Sequence, residues 1–124
     1  MVTNLKQITI ALINNKAPFS YCSGKESLDL ALIFSSFEQR VSLFFQGDGV
    51  YQLIKDQDST YISVKNYLKT FSAFEFYDIE DIYICQQSLL ERQLSADFHI
   101  DNVQVLSPND FSQALRSHQH ILRF

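Results

Sequence analysis

Apolar residues in this chain come in short, unbroken runs separated by longer stretches in which they recur every three or four positions. The first run, residues 7–13 (QITIALI), is rich in β-branched residues, stops at Asn14-Asn15 and predicts a buried strand. A polar loop containing Pro18 follows, and the spacing then predicts a helix over 24–38. That helix carries two apolar stripes, Leu28, Ala31, Leu32 and Ser35 on one side and Leu30, Ile33, Phe34 and Phe37 on the other. A surface helix needs one stripe to meet its core, so the second calls for a further partner.

The next run, 41–45 (VSLFF), predicts a second strand, closed by the turn signal Gln46-Gly47-Asp48-Gly49 and a short helix over 50–54. Residues 55–60 (KDQDST) read as an exposed loop. A helix over 64–77 places Tyr67, Leu68, Phe71, Phe74 and Tyr77 at helical spacing. Residues 82–85 (IYIC) form a third strand, running straight into a short helix, QQSLLERQL. A fourth strand covers 103–106 (VQVL). Ser107-Pro108-Asn109-Asp110 is a helix start, with Ser at the cap and Pro in the first turn. The sequence HILRF, 120–124, is a short fifth strand.

Strands apolar on both faces and alternating with helices predict a mostly parallel five-stranded sheet covered on both sides, a three-layer α/β/α fold. At 124 residues the expectation is one domain, 1–124, with a single core. A net charge of −4, with ten scattered Lys and Arg, argues against direct nucleic-acid binding. No apolar stretch approaches the ~20 residues of a spanning helix, and the start lacks the order of a secretory signal. The expected location is cytoplasmic, with no membrane contact. Two cysteines without a C-x-x-C or Cys/His cluster give no zinc site, and no cofactor motif is present.

In open parallel sheets, reactive groups gather beyond the C-terminal strand ends. Cys85 occupies such an end with a helix beginning beside it, where unpaired N–H groups would favour its thiolate. The competing reading is a small buried hydrophobe filling space. Cys22, in the first strand-to-helix loop, reads as a neutral loop residue, and the loop 18–24 is a weak phosphate-binding candidate. Asp48 reads as a turn residue, Glu91-Arg92 as a solvated helix face, and His118 and His120 as ordinary surface residues, while His99 stands alone.

The strand–turn–helix VSLFFQGDGVYQL, the stretch NYLKTFSAFEFYDIEDIYICQQSLLERQL, the segment APFSYCSGKESLDLAL and the closing HILRF together resemble the TusC/DsrF family. These are subunits of sulfur-relay complexes in the DsrEFH superfamily. The resemblance implies the DsrEFH-like α/β/α fold and a dimer of heterotrimers with TusB-like and TusD-like subunits. It also implies a TusE-like sulfur acceptor and 2-thiolation of the tRNA wobble uridine; related complexes serve DsrC-linked sulfur oxidation instead. The resemblance also implies that the principal sulfur-carrying cysteine belongs to the D-type subunit, so Cys85 is the candidate catalytic site here and a scaffold role is the leading expectation. The family pattern expects Gly after the Arg at position 92, where this chain has Gln93. A flavodoxin-like nucleotide module is an alternative suggested by fold alone.

Overall fold

The computed structural model describes residues 8–16, 23–37, 39–54, 79, 81–98, 100 and 102–124, with only the backbone for 23–26 and 28. The expected loop 55–60, the expected helix over 64–77, Cys22 and His99 lie outside the described residues.

Five strands, β1 (Thr9–Asn14), β2 (Arg40–Phe45), β3 (Asp81–Cys85), β4 (Val103–Leu106) and β5 (His120–Arg123), form one sheet in the order β4-β3-β2-β1-β5. All four pairings are parallel. β1 starts two residues later and ends one residue later than the apolar run. Asn14 extends it because its side-chain amide donates to the carbonyls of Leu12 and Phe44, both at 3.3 Å, and so caps two strands at once. A buried polar side chain is stable at a strand end when it satisfies backbone groups in this way.

Alternation along each strand sends side chains to two cores. Ile10 and Leu12 of β1, Val41, Leu43 and Phe45 of β2, and Ile82 and Ile84 of β3 pack with Ala31 of helix α1 (Ser23–Ser36). On the opposite face Ala11, Ile13, Phe44 and Cys85 pack with Phe111 of α3 (Pro108–Arg116). Helices cover both faces, giving the expected three layers. α3 begins as its sequence requires: the Ser107 hydroxyl accepts from the Asp110 N–H at 3.2 Å, with Pro108 in the first turn.

Two local expectations change. Gly47–Gln52 is a single 3-10 helix, so the GDG turn and the short helix after it are one element. Gly47 enters it at φ +55, a left-handed conformation that glycine adopts without steric penalty. The second stripe of α1 also divides. Leu30 and Phe34 pack against the core, whereas Ile33 and Phe37, one turn apart, stay 51% and 71% exposed.

Candidate functional site

Parallel pairing brings the ends of β1, β2, β3 and β5 to one edge, where a polar rim ties them together. Asn15 receives the Gln46 side-chain amide at 2.7 Å and donates its own N–H to the Phe124 carbonyl at 3.2 Å. The Gln46 N–H reaches the Asn14 carbonyl at 3.1 Å. From there the Gly47 N–H donates to the Ser88 hydroxyl at 2.9 Å, joining the end of β2 to helix α2 (Gln86–Glu91). Arg92 completes the rim. Its Nε and Nη2 hold Asp48 Oδ1 at 3.1 and 3.0 Å, while Nη1 donates to the Ser88 carbonyl at 3.1 Å. Asp48 and Arg92 are therefore a mutual brace between two strand-end elements, rather than a turn residue and a solvated face. Their separation of 44 positions along the chain hid the pair.

α2 ends in a Schellman motif. The Leu94 N–H bonds the Leu89 carbonyl at 3.0 Å and the Gln93 N–H bonds the Leu90 carbonyl at 3.1 Å. Gln93 takes φ +54, the left-handed position where glycine is usual and where the family pattern expects it. Gln93→Gly is accordingly expected to raise unfolding free energy by roughly 0.5–1 kcal/mol, a side chain at that φ costing about 1–2 kcal/mol and glycine's chain entropy offsetting part. A urea unfolding midpoint at or below that of the parent chain would contradict this.

Cys85 is the last residue of β3 and the N-cap of α2, at φ −78 and ψ 119. Its side chain makes no capping hydrogen bond. The thiol is reduced, 8% exposed, and belongs to the apolar cluster with Ile13, Phe44 and Phe111, with Leu106 packed against it. The side chain makes no hydrogen bond to the N–H groups that begin α2 beside it, and strand alternation packs it with the α3-side cluster. Gln86, Gln87 and Leu90 stand exposed on the helix that follows.

A second polar chain crosses the opposite half of the sheet. His118 Nδ1 lies 2.8 Å from the Ala114 carbonyl and Nε2 lies 2.7 Å from the Ser42 hydroxyl. A carbonyl only accepts, so in the neutral ring Nδ1 carries the proton and Nε2 accepts from Ser42. Ser42 also lies 3.4 Å from Asp81, which is paired to Arg40 at 3.0 Å. Burial first, then the Asp81 charge, pushes the Tyr83 phenol up; Arg40 opposes this, and a hydrogen bond to Asp81 adds to the rise. The residue types are those of a hydrolase triad, but Ser42 is 1% exposed and the carboxylate meets the serine rather than the histidine. This chain braces β2, β3 and the turn after α3, and His118 is half-buried, not a surface residue. His120 is exposed, as expected.

Among the described residues no three His, Cys, Asp or Glu side chains gather as a metal site, and no helix is long and apolar enough to cross a membrane.

An all-parallel sheet of five strands in this order, with helices on both faces and its candidate chemistry at the C-terminal edge, defines the class: a three-layer α/β/α domain. Residues 9–124 match the model of the DsrE/DsrF-like family, and the chain belongs to that family. It is 38% identical over 108 residues to a protein TusC homolog of Vibrio vulnificus (strain CMCP6), covering 87% of this chain and 92% of that one. It is also 38% identical over 116 residues to protein TusC of Buchnera aphidicola subsp. Acyrthosiphon pisum (strain Tuc7), covering 93% and 98%. The crystal structure of the Escherichia coli ychN protein has the same fold, with a TM-score of 0.74 over 96% of this chain and all of that one, at 22% identity. The family resemblance and the fold class expected from sequence are both borne out.

Proposed function

We propose that this chain is a structural subunit of a sulfur-relay complex that passes persulfide sulfur toward 2-thiolation of the tRNA wobble uridine. Its partners in that reading are TusB-like and TusD-like subunits in a dimer of heterotrimers, and a TusE-like acceptor takes the sulfur, in the cytoplasm. The likeness to proteins named TusC supports the reading, and one structural observation carries it. Ile33 of α1, Phe37 in the turn just past it and Leu90 of α2 are more than half exposed, which is apolar surface left over after the two cores are filled. Large apolar side chains stacked one helical turn apart on a surface are a mark of association. With a net charge of −4, the chain itself makes no tRNA contact.

Native mass spectrometry tests this. Co-expressed with B-type and D-type subunits, the chain is expected in a defined hetero-oligomer; a monomer indifferent to both ends the proposal.

The strand-end position of Cys85 favours a second reading, in which it carries sulfur itself. Its thiolate would attack the outer sulfur of a donor persulfide, R–S–SH, giving Cys85–S–SH and releasing R–SH. The 8% exposure of Cys85 weighs for the scaffold role. Cys85→Ser in the assembled complex is therefore expected to leave sulfur delivery within about twofold of the parent, because the thiol makes no capping hydrogen bond and serine is nearly its size. Loss of delivery transfers the role to Cys85.

A further inference from the structure

Among the described residues β5 lies at the end of the sheet and pairs only with β1, and all four of its residues are exposed. The Phe124 N–H bonds the Ile13 carbonyl at 2.9 Å, and the Phe124 carbonyl accepts from Asn15. Successive residues of a strand point their backbone groups to opposite edges. His120 and Leu122 therefore face β1, and the N–H and C=O of Ile121 and Arg123 face outward, with no hydrogen-bond partner on that side among the described residues. The side chains of Ile121 and Leu122, 44% and 37% exposed, stand on opposite faces of the same strand. Of the devices that protect such edges, β5 has no proline and no bulge; it is four residues long and its charge is the single basic side chain of Arg123.

Charge narrows the occupant. Residues 111–124 include Arg116, His118, His120 and Arg123 and contain no Asp or Glu, in a chain whose net charge is −4. β1 carries no charge, and Lys16 lies just past its end. Outward-facing residues of an antiparallel pair oppose one another, so a second copy would set Ile121 against Arg123 and lay side by side two strands that carry basic residues and no carboxylate. We propose that the outer edge of β5 accepts an extended, acidic strand from a different polypeptide, which adds to the sheet through the Ile121 and Arg123 backbone groups and sets a carboxylate near Arg123. This surface is independent of the sulfur-relay reading, since it requires neither Cys85 nor sulfur delivery.

The probe is a short fluorescent peptide alternating valine and glutamate, compared with its valine–lysine counterpart by anisotropy. Ile121→Pro removes an outward N–H and leaves the β1 ladder intact, a substitution edge strands tolerate. The glutamate peptide is expected to bind, more weakly as salt rises, and to lose at least tenfold in affinity to Ile121→Pro. Arg123→Glu, which leaves the backbone unchanged, is expected to reverse the preference between the two peptides; it decides the matter if the proline variant fails to fold. No binding of the glutamate peptide, equal binding of both peptides, or unchanged affinity in a folded Ile121→Pro overturns the proposal. So does a dimer of the chain alone in sedimentation that Ile121→Pro dissolves, which would make the occupant a second copy.

Discussion

Gly49→Ala is expected to lower the unfolding free energy by more than about 3 kcal/mol, the scale of overpacking against groups that cannot yield. A Cβ at position 49 would stand 1.9 Å from the Asn14 carbonyl oxygen, 2.6 Å from its carbon and 3.1 Å from the Asn15 nitrogen. These are backbone atoms at the end of a central strand, so no side-chain rotation relieves the overlap. Asn14 also accepts from the Gln46 N–H and braces two carbonyls through its side chain. Moving it breaks several buried hydrogen bonds together. Gly47→Ala is the internal control. Its Cβ meets nothing closer than 3.7 Å, so only the left-handed φ of +55 is lost, about 1 kcal/mol. Urea unfolding should therefore rank Gly49→Ala well below Gly47→Ala. Equal effects would mean that the close approach of β1 to the 3-10 helix does not govern this corner.

That contrast also shows where sequence reading ran out. The two glycines sit in one turn signal and look equivalent, since one needs its φ and the other needs absence of volume, and only tertiary structure separates those needs. The strands were legible because burial on both faces writes itself as runs such as VSLFF and IYIC. The start of α3 was legible because a cap is a local device, Ser107 to Asp110. What could not be read is what spans the sheet. Arg92 finds Asp48 across 44 residues and His118 finds Ser42 across 76, and no periodicity encodes either pair. Asn14 looked like the end of a strand because it is polar, whereas its amide is what carries the strand one residue further.

Cys85 shows the same division at the candidate site. Its place at a strand end followed from the chain, but the direction of its side chain depends on strand parity and on what lies behind it. Parity turns it toward Phe44 and Phe111 and away from the polar rim formed by Ser88, Gly47 and Arg92. The polar side chains of that edge belong to a brace, and the thiol packs in a core. The rim keeps the ends of β2 and β3 in fixed register whether or not sulfur ever reaches Cys85.

Phe44→Ala is expected to cost about 3–5 kcal/mol, as removal of a large ring from a filled core does. Phe44 is fully buried in β2 at the centre of the α3-side core. Its ring meets Tyr83 at 5.0 Å between centroids, Phe111 at 5.2 Å edge-on and His118 at 5.5 Å edge-on. Each edge-on aromatic pair adds about 0.5–1.5 kcal/mol beyond buried area. Phe44→Leu keeps most of the volume and should cost markedly less than Phe44→Ala. The alanine variant also tests the surroundings of Cys85, which shares this cluster. Emptying the core beside a thiol only 8% exposed should speed its labelling by a maleimide under native conditions at least tenfold, through local opening rather than global unfolding. Destabilisation with labelling as slow as in the parent would mean that the core closes over the cavity and that Phe44 does not control access to Cys85. Fast labelling would establish that packing by this one ring keeps the strand-end cysteine out of reach.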